Sequence, residues 1–300
     1  MAATTLDSDR SGTRSLRRVL HHYVRQSRQC LAASAPSDEA VHEARKAIKK
    51  SRTALRLLRP ALGNARYRRG NRTLRDAAHA LNAVRDARVL MQALARLRQE
   101  RPALRHNRAA AKLAARLQQA LSAARHRLTA RSLRAECRTL QRVERRVQRW
   151  SVGRHGWSVL GPALCRLYRR GRRVLPTATE HPTDEALHEW RKQVKYLRYA
   201  LKMLGPMQPG PLGALEKQAA EIAEQLGQAH DLALLHGHAQ GLDTRADPGR
   251  RGLLQAIEAL RVQRAYQALV AGERLFQPRP GEFERTLGQA WRRWRRRAGA

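Results

Sequence analysis

Two stretches of this sequence are versions of one another. VHEARKAIKKSRTALRLLRP begins at Val41, and LHEWRKQVKYLRYALKMLGP begins at Leu187. Laid together without a gap they share His, Glu, Arg, Lys, Lys, Arg, Ala, Leu, Leu and Pro, the mark of an internal duplication. Each copy opens on a turn signal, Ser37-Asp38 or Thr183-Asp184, and runs to a proline, Pro60 or Pro206, that is expected to close the helix. At about 100° per residue, Ala44, Ile48, Ser51, Leu55 and Leu58 share one side, as do Trp190, Val194, Leu197, Leu201 and Leu204. That side is the expected core face.

The opposite side is a stripe of cations. Within an arc of roughly 120° it holds His42, Arg45, Lys46, Lys49, Arg52 and Arg56 in the first copy. The second copy places His188, Arg191, Lys192, Lys195, Arg198 and Lys202 in the same way. Each stripe is about 20 Å long at 1.5 Å per residue. Like charges at i, i+3 and i+4 repel by about 0.2–0.5 kcal/mol per pair, so an anion lying over them would stabilise both helices. A solvated helix face would instead alternate Glu with Lys.

Composition agrees with an anionic partner. The formal charge is +37 and the isoelectric point is near 11.8, which attracts polyanions at long range. The abundance of Ala, Leu, Arg and Gln favours helix throughout, so the fold class is all-α with almost no strand. Cys30, Cys137 and Cys165 have no short mutual spacing that would suit a zinc knuckle or a redox pair, and they read as small apolar residues in a reducing compartment. The opening MAATTLDSDR lacks an apolar signal region, and no run is long enough to span a bilayer, so a cytoplasmic protein is expected.

Along the chain, residues 1–12 read as a disordered tail, 13–152 as a first helical-bundle half and 153–300 as a second. The helical period lapses near the midpoint, around Ser151-Val152-Gly153 and His155-Gly156. In the second half a basic helix comes first, CRLYRRGRRVL, with Arg166, Arg169, Arg170 and Arg173 in helical register. A Pro-containing turn, the duplicated helix and a Pro/Gly loop at MQPGPLG are expected to follow. Each half supplies four or five helices, enough for a four-helix bundle.

Other constellations carry less. His230-Asp231 resembles the dyad of metal-dependent HD phosphohydrolases, but the aligned place in the first half reads Arg85-Asp86, and a metal ligand is not freely exchanged for Arg. Each Asp is read instead as orienting a basic neighbour or capping a helix break. No phosphate loop, catalytic dyad or acidic cluster for magnesium can be picked out, so the expectation is no metal, no cofactor and no catalysis. The terminal WRRWRRR, from Trp291, reads as the last core-facing turns of a helix, with an interaction tail as the alternative.

Taken together, VHEARKAIKKSR with LNAVRDARVL, and RLYRRGRR, PTDEALHEWRKQVKYLRYAL and LGQAHDLALL, resemble the CHAD family, the conserved-histidine α-helical domain. The resemblance covers about Ser15 to Trp294, with His230 standing where the family has the Arg of an RD pair. It implies two pseudo-symmetric four-helix bundles whose basic faces line a shared groove or pore, and binding of inorganic polyphosphate. His42, Arg45, Lys46, Lys49, Arg52 and Arg56 would form that surface with His188, Arg191, Lys192, Lys195, Arg198 and Lys202. Arg85, Arg88, Arg166, Arg169, Arg170 and Arg173 would be secondary contacts. Many relatives carry an attached triphosphate tunnel (CYTH) domain, and this chain reads as a stand-alone copy. The resulting expectation is a non-catalytic polyphosphate binder, associated with polyphosphate granules. A nucleic-acid-binding helical protein is the alternative, disfavoured by an aromatic content of only 4%. A polyphosphate-processing enzyme comes third.

Overall fold

The computed structural model of the chain describes residues 4–8, 10–33, 35–153, 155–242 and 248–298. Among them the regular structure is helical. The first half contributes α1 (Gly12–Cys30), α2 (Asp38–Leu62), α3 (Asn64–Ala80), α4 (Asn82–Glu100), α5 (Arg108–Arg127) and α6 (Ala130–Arg149). The second contributes α7 (Trp157–Glu180), α8 (Asp184–Leu204), α9 (Pro209–Gln240), α10 (Pro248–Leu275) and α11 (Pro280–Ala298).

The two similar stretches form α2 and α8, and both begin in the same way. The hydroxyls of Ser37 and Thr183 accept from the Ala40 and Ala186 amides at 3.1 and 3.2 Å, satisfying donors that the first turn leaves open. All ten residues expected on the core faces of these helices are fully buried. Of the two prolines expected to close these helices, Pro206 does so, α8 ending at Leu204, and Pro60 does not. Pro60 lies inside α2, which runs one turn further to Gly63, and Pro176 lies inside α7. Each removes one amide donor near a helix end, where the loss of a single bond is tolerated. In MQPGPLG, Pro209 starts α9 rather than a loop, since a first-turn residue needs no amide.

Packing repeats between the halves: α1 on α2 and α7 on α8, α2 on α3 and α8 on α9, α1 on α6 and α7 on α11, α4 on α5 and α9 on α10. Where the first half breaks its helix at Leu81, between α3 and α4, the second runs straight through as the 32-residue α9. One large apolar cluster joins α1–α3 and α6 to α7, α8 and the start of α9. A smaller one joins α4 and α5 to the end of α9 and α10. The halves therefore meet at two apolar seams.

The tail expected over residues 1–12 is in part fixed to this core. Leu6 is buried and its amide donates to the Met203 carbonyl at 2.9 Å, while Asp7 holds Arg18 at 3.0 Å; residues 1–3 and 9 lie outside the described residues. At the other end Trp291 is buried and Trp294 packs against the core, as the helical spacing of WRRWRRR requires. Cys165 is buried, Cys30 and Cys137 are half-buried, and all three are free thiols.

Trp190 is the largest fully buried side chain, and it is accommodated by a glycine. A Cβ at Gly272 of α10 would lie 2.5 Å from the indole ring, closer than any real contact. Gly272→Ala should destabilise the protein by about 1–3 kcal/mol through overpacking. Gly213→Ala, where the added methyl meets nothing within 4 Å, should be neutral or stabilise by up to about 1 kcal/mol. Urea denaturation of the two variants checks both.

Candidate polyanion-binding cleft

Between the two seams lies a ring of four helices in which α2 touches α4, α4 touches α9, α9 touches α8 and α8 touches α2. The ring encloses a cavity of about 320 Å³. Its wall carries Arg45, Lys46, Lys49, Arg85, Arg96, Arg191, Lys195 and Arg198, against only two acids, Glu224 and Asp231. The excess of positive charge comes from both halves.

The two buried arginines are placed differently by the neighbouring helices. Arg45 donates to the Ala78 carbonyl at 2.6 Å and to the Asn82 side chain. That carbonyl sits where the backbone ladder stops at Leu81, so the guanidinium occupies a place opened by the break between α3 and α4. Arg191, at the matching position of α8, has no such break to fill. Its guanidinium lies against Gly227 of the continuous α9, where a Cβ would approach it to 3.3 Å. Lys49 and Lys195 sit one turn further on in their helices.

Crowding of like charges shows in the protonation equilibria. Burial, and then Arg45, Arg85 and Arg191, push Lys49 down to about 7, with Asp86 opposing. Burial and the cations Arg191, Lys49 and Arg85 hold Lys195 well below the usual lysine range. Arg45 is pushed down to about 10 by burial and Arg85. Asp231 is raised by burial, against the pull of Arg191, Arg85 and Lys195, and lies 4.0 Å from Arg85. Asp86 pairs with Arg85 at 2.9 Å. Both aspartates thus sit beside basic neighbours, as the Arg85-Asp86 alignment suggests. His230 is driven to about 3 by burial and by Arg191, with its ring 4.6 Å from that of His188. His42 and His188 are also lowered, burial being the largest cause in each.

The stripes do not enter the cavity whole. His42, Arg45, Lys46, Lys49, Arg191, Lys195 and Arg198 line it, Lys46 also pairing with Glu43 and Arg198 with Glu216. Arg52 and Arg56 are turned to Asn71 of α3, and Arg56 stacks on Tyr196 at 3.7 Å. Lys192 pairs with Glu189, Lys202 is exposed, and half-buried His188 stays outside the wall. Of the secondary residues, Arg85 lines the cavity and Arg88 turns away to Glu39. Arg166, Arg169, Arg170 and Arg173 are exposed on α7, away from it.

Arg96 and Tyr199 belong to the wall without having been singled out in the sequence. Arg96 follows Arg85 by three helical turns on one face, a readable signal. Tyr199 carries none. Among the described residues no three His, Cys, Asp or Glu side chains gather as metal ligands would, and no helix is long and apolar enough to cross a membrane.

A family model described as CHAD domain matches residues 14–240. Among solved structures, the crystal structure of the CHAD domain from the plant Ricinus communis superposes with a TM-score of 0.65 at 19% identity. That match covers 92% of this chain and 95% of the other, and it shows a shared fold. No curated protein matches the sequence.

The protonation of the cleft gives a testable sign. In the unfolded chain Lys49 and Lys195 hold their protons to about pH 10.4, whereas in the folded, ligand-free cleft Lys49 loses its proton near 7. The unfolded state binds more protons in between, so stability should rise as pH climbs from about 7 to about 10. Lys49→Met with Lys195→Met should flatten that rise and raise stability by about 1–4 kcal/mol near pH 7, as uncompensated buried charge is replaced by apolar packing. Denaturant midpoints across this pH range check it.

Proposed function

This chain belongs to the CHAD domain family, and from that premise we propose that it binds inorganic polyphosphate, the ligand its family resemblance implies, in the cleft between its halves. The observation that carries the reading is that seven members of the duplicated stripes, drawn from both halves, face one cavity whose cations greatly outnumber its acids.

A linear polyphosphate meets the physical needs of such a site. It supplies closely spaced negative charge to cations that burial and mutual repulsion otherwise disfavour. Arg45, Arg191 and Arg198 offer planar forks that grip two oxygens at once, while Lys49 and Lys195 act as compact point charges. The chain is narrow enough to pass among the four helices, and its bound counterions are released as it enters. Asp231 and Glu224 stand among arginines rather than converging on a reacting centre. The role proposed is therefore binding without catalysis, with attachment to polyphosphate granules as its cellular consequence.

Lys49→Gln should weaken polyphosphate affinity about 10–100-fold, the 1.5–3 kcal/mol of a hydrogen bond to a charged group. Adding Lys195→Gln should remove a similar factor again. Affinity should also fall steeply with salt, and with chain length once the polymer no longer spans both halves. Calorimetric titration with polyphosphates of defined length tests this. Equal affinity for triphosphate and a long polymer, or no effect of either substitution, would overturn the proposal.

A further inference from the structure

The cleft engages few of the chain's arginines, and the outer face of α6 holds the most regular group of the others. Arg131, Arg134, Arg138, Arg142, Arg145 and Arg149 are all exposed there. Steps of three and four residues keep them within roughly 80° of arc, in a line about 27 Å long. None of the six is in an ion pair among the described residues. The helix's two acids lie on the other side, Glu136 half-buried and Glu144 holding Arg28 at 2.9 Å. The opposite face, with Leu133, Leu140, Val143 and Val147, is buried in the core.

The neighbouring helix extends this surface. Packed beside α6, α3 exposes Arg68, Arg72 and Arg75 on one face; only Arg75 has an acidic partner, Asp76 at 2.9 Å. The corresponding helices of the second half are mixed in sign. The first part of α9 exposes Lys217 with Glu221 and Glu224, and α11 exposes Glu282 beside its arginines. Arg166, Arg169, Arg170 and Arg173 form a shorter exposed run on α7, but the α6 line is longer and is flanked by further arginines on α3, and its members repel one another until an anion lies over them.

We propose that the α6 face, flanked by α3, is a second polyanion surface that docks the phosphate backbone of a nucleic-acid duplex. The reading is independent of the cleft. A duplex is far too wide for a cavity of about 320 Å³, whereas the α6 arginines are exposed to it on the outside. It presents about one charge per 1.7 Å of axis, so a stretch of duplex as long as the line of arginines carries on the order of 16 phosphates. Packed helices sit about 8–10 Å apart, which sets the α3 and α6 arginines close enough to meet backbone on either side of a groove about 6–12 Å wide. Arginine suits this role, because its fork takes two phosphate oxygens together. The contacts are to backbone, so binding is independent of base sequence. A flexible polyphosphate gains more from enclosure by four helices than from an open convex face.

The test uses the full chain and a random-sequence DNA duplex of about 30 base pairs, followed by fluorescence anisotropy, with polyphosphate affinity measured in parallel. Arg134→Gln, Arg138→Gln and Arg142→Gln together should lower duplex affinity tenfold or more. They should also make the log–log salt slope shallower by about 2.7, for three lost phosphate contacts, with polyphosphate affinity unchanged. Lys49→Gln with Lys195→Gln should do the reverse, losing polyphosphate and keeping the duplex. Arg→Lys at the same three α6 positions should retain most duplex binding, and melting temperatures should stay at the parent value, since these side chains are exposed. The proposal fails if the parent does not bind the duplex, if the α6 variant binds it as the parent does, or if the cleft variant loses it equally. Loss of polyphosphate alone from the α6 variant would also overturn it, assigning the stripe to that polymer.

Discussion

Like charges held together with too few acids to balance them are the constraint on which this molecule turns. Eight lysines and arginines line one cavity of about 320 Å³ with two acids among them. Placing such groups away from water disfavours their charged forms, and each neighbour adds to the effect. Two responses are visible. Lysines, whose protons can leave, have their protonation pushed toward neutrality; Arg45, whose proton cannot leave in practice, is tied to the Ala78 carbonyl and the Asn82 side chain. The apolar seams on either side supply the stability that this arrangement requires.

The halves solve the same local problem with different chemistry. In the first, the helix breaks at Leu81, and Arg45 bonds to the Ala78 carbonyl and the Asn82 side chain at the break. In the second, α9 continues unbroken, and the matching arginine rests on Gly227, where the absence of a side chain leaves it room. Asp86 and Asp231 occupy corresponding places beside these cations but differ in environment, Asp86 being paired to Arg85 at 2.9 Å and Asp231 more deeply buried. Two similar sequence stretches thus face one cleft from walls that are alike without being equal.

Much of this was legible in the sequence. Periodicity in α2 and α8 marked all ten core residues and the stripe opposite them, because a helix repeats its faces every 3.6 residues whatever it packs against. What periodicity leaves out is where along the axis a neighbour crosses. Arg56 shares an angular position with Lys49, yet it lies two turns on, under Tyr196 of α8, and so is closed off from the cleft. Arg52 is lost to Asn71 of α3 in the same region. Pro206 ends α8 as expected, but Pro60 and Pro176 misled for a related reason: one missing amide breaks a helix in isolation, and packed faces carry α2 and α7 past them. Tyr199 comes to the wall through tertiary packing, which one sequence does not display.

The central claim is that the cleft's cations await an anion, and proton uptake on binding tests it most directly. Calorimetry of polyphosphate binding at pH 8, repeated in buffers of different ionisation enthalpy, counts the protons exchanged. In the free cleft Lys49 is largely neutral at this pH, and a bound polyphosphate favours its charged form. The account predicts an uptake of about one proton per bound chain, lost in Lys49→Gln. Binding with no net proton uptake in the parent would contradict it, placing the anion elsewhere on the molecule.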